Sequence, residues 1–341
     1  MTMDLHGSAP RGWDEGVTTP FQRSGFAASM QTMGYRALYA RRDHDSALVL
    51  VRGDAGVIGR LTARASVFAP GGDPDFIVAT VNALSARGIP YVKIGDTMSG
   101  LAAVPDHTWP RHARVTPTLR HTFVLDLTHS EASLVKGLQA GVRSSIKKAE
   151  REGLKVREVV GQADLDAYCA LVQTTSARVR AVQAYTDFPA RFFTELYARL
   201  VPVRAAKFYV AWMNDVPLAG AVFLCSAERM LYFSGASTRD RAWTAIQAPT
   251  TVLWHAIRDA QALGMRTFDL GGCTPTEDPA DPRHGVYAFK KRWGGALESF
   301  HNLEVVLSPL AVRLQNDVLS PLWDRLHPLY FRLLSLRGSR P

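Results

Sequence analysis

The chain has few of the residues that staple or metallate proteins. Its 341 residues include three cysteines, Cys169, Cys225 and Cys273, with no two close in sequence. That excludes a disulfide framework and any CxxC metal spacing. The ten histidines are scattered, and none falls into HxxxH or HExxH. A structural zinc site is not expected on this pattern. No apolar run approaches the ~20 residues that span a bilayer. The first residues lack an apolar run flanked by positive charge, so no signal peptide is expected. These absences together set the expectation of a reducing, cytoplasmic setting.

With 47% hydrophobic residues, the chain can bury two ordinary cores, and its length suits two domains. The net charge of +9 points to an anionic partner: RNA, a nucleotide-linked substrate or a membrane surface. The alternative is a solvated basic surface.

One segment near the C-terminal end is the most informative. Phe268-Asp269-Leu270-Gly271-Gly272 is followed by a polar loop with three prolines and then by Tyr287-Ala288-Phe289-Lys290-Lys291-Arg292-Trp293-Gly294-Gly295. Glycines at a strand end let backbone approach a ligand closely. A lysine between aromatics beside that opening can meet a phosphate or a developing oxyanion. The simpler reading is a glycine-punctuated hairpin with a surface lysine. If the second segment is extended, Lys290 and Lys291 point to opposite faces and do not share a role.

An earlier stretch rhymes with this one. Gly88-Ile89-Pro90-Tyr91-Val92-Lys93-Ile94-Gly95-Asp96 parallels Gly264-Met265-Arg266-Thr267-Phe268-Asp269-Leu270-Gly271-Gly272. In each, a helical segment closes on glycine and a strand ends at glycine. Upstream of each lies a hairpin-like strand pair, over 37–41 and 47–52 in the first copy and 208–213 and 218–224 in the second. The chain reads as two copies of one α/β unit.

The remaining elements follow in order. Residues 1–19 are Gly/Pro/polar and expected to be poorly ordered. A helix over 21–35 presents Phe26, Met30 and Met33 on one side. Gly71-Gly72-Asp73-Pro74 is a turn. A helix over 76–86 leads into strand Tyr91–Ile94, a proline- and basic-rich connector covers 108–118, and a strand covers 122–127. A helix is expected from Thr128, with capping-box spacing to Glu131, to Gly153. Its apolar stripe is Leu134, Leu138, Val142 and Ile146. Its other side carries Arg143, Lys147 and Arg151, with Lys148 beside them. Such a basic ridge suits RNA phosphates; the alternative is a solvated helix face. Helices over 163–182 and 188–200, a strand over 230–236 and a helix over 248–263 complete the second copy. Residues 319–337 form a basic amphipathic segment that either packs back on the first domain or touches an anionic membrane peripherally.

The hairpin–helix–strand order, Arg120-His121-Thr122-Phe123-Val124-Leu125-Asp126-Leu127, then Val142-Arg143-Ser144-Ser145-Ile146-Lys147-Lys148-Ala149, then the two glycine-terminated signatures, resembles the Fem family of peptidoglycan interpeptide-bridge aminoacyltransferases. The likeness covers 21–307. No heptad run occurs, so it is to the short members without the coiled-coil insertion. The resemblance implies an α/β (α+β) fold of two tandem GNAT-like domains with mixed, mostly antiparallel sheets. The division is expected at 1–119 plus 305–341 for the acceptor side and 120–304 for the aminoacyl-tRNA side. It implies transfer of an amino acid from aminoacyl-tRNA to the side-chain amine of a UDP-linked or lipid-linked peptidoglycan precursor, with no cofactor, in the cytoplasm or at the inner face of the membrane.

Residue by residue, Phe289-Lys290 matches the pair facing the tRNA acceptor end, and Tyr91 and Asp96 match residues lining the precursor site. Asp96 orients the attacking ammonium more plausibly than it deprotonates it, because a carboxylate near pKa 4 is a poor base for an amine near 10.4. The expected set is thus Lys290, Phe289 and Asp96 for catalysis; Tyr91, Phe233, Arg178 and Arg191 for the acceptor; and Arg143, Lys147, Lys148, Arg151 and Lys291 for tRNA. Departures exist. The family's diphosphate-binding lysine falls near Ala28, its arginine and tyrosine fall near Phe188 and Phe192, and a further tyrosine corresponds to Phe233. Arg23, Arg178, Arg180 and Arg191 are candidates to supply the missing charge.

Two other readings remain. An acyl-CoA N-acyltransferase needs an Arg/Gln-x-x-Gly-x-Gly/Ala turn. The equivalent stretch, Asp240-Arg241-Ala242-Trp243-Thr244-Ala245-Ile246-Gln247, has no glycine. The first copy offers only Gly56-Val57-Ile58-Gly59-Arg60. A non-catalytic RNA- or membrane-binding protein with this fold is the third reading.

Overall fold

The computed structural model describes residues 3–53, 59, 61–69, 73–95, 109–180, 188–238, 240 and 243–319. Asp96, most of 54–60 and all but the first residue of the 319–337 segment lie outside that set.

Helix α1 (Ser24–Gln31) precedes hairpin β1 (Arg36–Arg42) and β2 (Asp45–Arg52), then β3 (Arg64–Phe68), α2 (Pro74–Ala86) and β4 (Tyr91–Ile94). A long strand β5 (Arg114–Asp126) leads to α3 (Glu131–Gly137), α4 (Ala140–Arg151), β6 (Lys155–Glu158), α5 (Gln162–Arg180) and α6 (Ala190–Leu200). The second unit is β7 (Ala206–Met213), β8 (Val216–Cys225), β9 (Arg229–Ser237), α7 (Ala248–Ala262) and β10 (Thr267–Cys273). Helix α8 (His284–Lys291), strand β11 (Ala296–Val306) and α9 (Pro309–Leu314) close the described chain.

The repeat is real. The eleven strands of the described residues form one sheet in the order β1-β2-β3-β4-β11-β5-β10-β9-β8-β7-β6. In each half an antiparallel meander of three strands is followed by a helix and a fourth strand parallel to the third. These are β3 with β4 and β9 with β10; the other neighbours run antiparallel. The two hairpins turn on left-handed residues, Asp43 in one and Asn214 and Asp215 in the other. The equivalent glycines match too, with φ of 75° at Gly88 and 76° at Gly264. The fold is mixed α/β with a mostly antiparallel sheet, as expected. The halves are fused rather than separate, because β5 and β11 pair along eleven residues between them.

Several elements differ from the sequence reading. The expected helix over 128–153 is two, broken at Leu138–Gln139. Thr128 is no cap: its N–H and hydroxyl donate to Asp126 Oδ1 at 2.9 and 2.6 Å, and Ser130 caps α3 instead. The stripe itself holds, with Leu134, Leu138, Val142 and Ile146 all buried. Residues 114–118 are strand, not connector. Pro117 is tolerated there because β5 has only β11 beside it at that point. Residues 3–19 are anchored: Trp13 is 2% exposed and its indole N–H donates to the Gln22 carbonyl at 2.8 Å. Residues 284–291 are helix rather than extended. Strands β3, β6 and β11 had no counterpart in the sequence reading.

Three buried clusters pack the sheet. The first lies under α3, α4 and α7. A second lies under α5 and α6 and reaches α1 and the first hairpin. The third lies under α2 in the first half. The second cluster joins the two halves through rings: Phe26 stacks edge-on against Phe192 and Phe233 at 6.5 and 6.4 Å.

Candidate functional site

The site follows from a defect in the sheet. β9 and β10 pair over only three positions, Thr267 to Asp269 against Arg229 to Leu231. Beyond them both strands continue unpaired with each other. β9 also bulges: Val222 faces Ser234 and Phe223 faces Tyr232, leaving Phe233 as the extra residue. A bulge re-aims side chains and bends the strand, so the sheet opens into a wedge here.

A cleft of about 720 Å³ lies on one side of the wedge, bounded by Trp243, the first turn of α7, Phe289 and Arg292. A smaller cavity of about 160 Å³ shares Phe289 with it and adds Tyr232. Tyr232 in turn borders a third cleft, of about 510 Å³, lined by Lys93, Gly95, Arg120, Phe233, Gly271 and Asn302 among others. The equivalent glycines of the repeat, Gly95 just past β4 and Gly271 within β10, thus border one cleft at the seam of the halves. Gly271 needs to be glycine: its φ is +78°, and a Cβ there would stand 3.0 Å from the Tyr232 carbonyl. Gly95, at φ +102°, would place a Cβ 2.6 Å from Asn302 Oδ1.

Lys290 is tied to the two glycines, Gly271 and Gly272, that border the third cleft. It is 8% exposed, and its ammonium donates to the carbonyls of Gly271 and Gly272, both at 2.8 Å. An ammonium has three N–H groups, so two carbonyls leave one for a ligand. Burial drives its pKa down to about 8, against the opposing pull of Cys273 and Asp269. Asp269 is fully buried. It accepts from the Thr122 hydroxyl and from Gly271 N at 2.7 Å, and burial raises its pKa. Lys290 is therefore a desolvated cation at the strand end, not the surface lysine of the simpler reading.

Helical geometry, not extended geometry, separates the lysine pair. Lys291 is exposed, 2.6 Å from Glu277 Oε1 and over the Tyr287 ring at 5.6 Å. The basic ridge is divided. Arg143 turns back on the carbonyls of Leu138 and Lys136. Lys148 donates to the Ala245 carbonyl at 3.1 Å and sits 3.8 Å from Glu152. Lys147 and Arg151 are exposed on α4.

Phe289 borders the first cleft and Phe233 the third, as placed above. Tyr91 does not line the third cleft. It lies under the Arg64 guanidinium at 4.8 Å, and its pKa is pushed up to about 12 by burial and by Glu304. Lys93, two residues further along β4, takes the lining position. Arg191 is exposed on α6, and the Arg178 side chain, like Asp96, lies outside the described set. Sequence reasoning missed Arg292, Trp243, Tyr232, Arg120 and Asn302. Only Arg292 carried a signal, as a third cation in the lysine motif. Among the described residues, no group of three His, Cys, Asp or Glu is placed to hold a metal, and no helix is long and apolar enough to cross a membrane.

The chain is similar to several known proteins. Residues 137–291 match the acetyltransferase (GNAT) domain family. A 96-residue stretch is 27% identical to Lipid II:glycine glycyltransferase of Staphylococcus haemolyticus (strain JCSC1435), covering 28% of this chain and 22% of that protein. The crystal structure of FemX superposes with a TM-score of 0.65 at 14% identity, covering 93% of this chain and 100% of that one. The C-terminal domain (DUF2156) of a putative lysylphosphatidylglycerol synthetase from Agrobacterium fabrum gives 0.57 at 15% identity, covering 89% and 93%.

Proposed function

We propose that this Fem-like, GNAT-type acyltransferase moves an amino acid from aminoacyl-tRNA to a primary amine on a peptidoglycan precursor. The observation that carries the reading is the wedge between β9 and β10. It has a cleft for a donor on one side, a cleft for an acceptor on the other, and a desolvated ammonium, Lys290, bonded to the carbonyls of Gly271 and Gly272 that border the acceptor cleft.

The chemistry follows from that placement. The acceptor amine attacks the ester carbonyl of the donor. A C–N bond forms, the C–O bond to the ribose breaks, and the proton lost by the amine ends on the departing ribose hydroxyl. The tetrahedral intermediate carries an oxyanion. The N–H of Lys290 not given to Gly271 or Gly272 stabilises it, and the low local dielectric strengthens that contact. Phe289 shields the junction on the donor side. Phe233, Lys93 and Arg120 border the acceptor side, with Asp96 beyond Gly95 in the chain.

On this reading residues 120–304 handle the tRNA, with Lys147 and Arg151 exposed on α4 to meet phosphates, while 1–119 with 305–341 serve the acceptor. The glycyltransferase relative is named for lipid II. A lipid-linked precursor is accordingly the first acceptor to test and the UDP-linked form the second; contact through 319–337 would bring the site to the inner membrane face. The experiment is label transfer followed by mass spectrometry, using purified protein, charged tRNAs or acetyl-CoA, and both precursor forms. Label arriving from acetyl-CoA alone, or from neither donor, rejects the proposal.

A further inference from the structure

The first cleft lies at the strand-to-helix junction before α7, where backbone N–H groups commonly cradle an anion. Here several of those N–H groups are already engaged. Trp243 N donates to the Asp240 carbonyl at 3.0 Å, Ile246 N to Trp243 at 3.0 Å and Thr250 N to Gln247 at 2.9 Å. Pro249 has no N–H to give. Lys148 pins the same loop through the Ala245 carbonyl. Those N–H groups are not offered to an anion in this cleft, so a side-chain donor counts for more here.

One side chain is suited to it. Arg292 borders the cleft half-buried. Its guanidinium lies over the Phe289 ring at 4.6 Å, and Nη2 donates to Thr250 Oγ1 at 3.2 Å. No carboxylate pairs with it among the described residues. Its Nε is out of solvent and donates to nothing, and burial alone lowers its pKa. An uncompensated cation with an orphaned donor is costly to hold in place unless an anion completes it. The planar fork matches a phosphate, and the ring beneath fixes its plane. Trp243, half-buried on the same cleft, offers an aromatic face where a base can stack.

We propose that Arg292 binds a phosphate of the donor and Trp243 its adjoining base, so that the cleft recognises a nucleoside phosphate through side chains instead of a glycine-rich loop. The proposal rests on the donor cleft assigned above and names its ligand chemistry. Two sources share that chemistry: the 3′ end of a tRNA and the nucleotide of CoA.

The test is equilibrium binding, across a salt series, of an RNA microhelix ending in CCA and of CoA. Wild type, Arg292→Gln, Arg292→Lys and Trp243→Leu are compared. Arg292→Gln should weaken microhelix binding by roughly tenfold to a hundredfold, the range for losing a hydrogen bond to a charged group. The slope of log K against log salt should fall by about 1. Trp243→Leu should weaken binding with the slope unchanged. Arg292→Lys should keep the slope and lose affinity, and it carries the test if the glutamine variant does not fold. Wild-type affinity and slope in Arg292→Gln overturn the proposal, as does failure of wild type to bind either probe. If CoA binding depends on Arg292 and the microhelix does not bind, the phosphate role stands and the tRNA-dependent function falls. If Arg292→Gln transfers poorly yet binds the microhelix normally, the phosphate role falls and the function stands.

Discussion

Replacing Lys290 by Met gives a test that needs no substrate. The lysine pKa is 10.5 when solvated and about 8 in the fold, chiefly because burial disfavours the charged form. Between those values the folded protein is deprotonated at Lys290 while the unfolded chain still binds the proton. Stability therefore rises with pH across that window and falls away as pH drops toward 8. The shift corresponds to about 3 kcal/mol at ~1.4 kcal/mol per unit. Lys290→Met has no such term. Urea unfolding of both proteins at half-unit steps from pH 7 to 10.5 should show wild type gaining about 3 kcal/mol on the variant, nearly all of it above pH 8. Cys273 titrates nearby and feels Lys290, so both proteins should carry Cys273→Ala. Asp269 also faces the ammonium, and it is present in both. A flat difference curve would mean that the ammonium remains solvated, and the electrostatic argument for catalysis would go with it.

Three further outcomes are expected. Single-turnover transfer at saturating acceptor should fall roughly 10²–10³-fold in Lys290→Met and stay near wild type in Lys291→Met, whose ammonium is exposed and paired with Glu277; the wild-type rate should decline above pH about 8 as Lys290 loses its proton. Gly271→Ala should lower stability by roughly 1–2 kcal/mol through left-handed strain, read by thermal unfolding, and should reduce transfer as well. Lys147→Glu with Arg151→Glu should weaken RNA binding and flatten its salt dependence, with melting temperature unchanged, whereas Lys148→Glu should lower the melting temperature because it releases the Ala245 carbonyl.

The repeat was legible because its signals are local. A glycine that must be left-handed, four residues of strand and a second glycine recur at Gly88–Gly95 and Gly264–Gly271, and each glycine does carry a positive φ. The buried stripe on α3 and α4 was legible for the same reason. β11 was not. It lies between β4 and β5, and its β4 partners are more than two hundred residues away, and the polar residues along Glu298 to Asn302 hide its alternation. Trp13 was obscured by its Gly- and Pro-rich neighbours, although a single buried indole suffices to anchor that segment. Lys290 was singled out from its aromatic and glycine neighbours, but its burial was not legible. Composition cannot tell whether an ammonium has carbonyls to receive it. Arg292 is the same problem reversed: its importance lies in partners it lacks.

The position of β11 also bears on how the protein is made. β4 is complete at Ile94, but the strand that covers its open edge spans Ala296–Val306. On a ribosome adding ~5–20 residues per second, the nascent first half waits about 10–40 s with a sheet edge unpaired. The second half is finished earlier in this sense, since β6 to β10 need nothing downstream of residue 273 to pair with one another. Maturation should thus run from the middle of the polypeptide outward, with the N-terminal meander sealed by nearly the last ordered strand to emerge. A nascent chain arrested before residue 296 should be more open to protease in its first hundred residues than in its second unit, and release of β11 should close that gap.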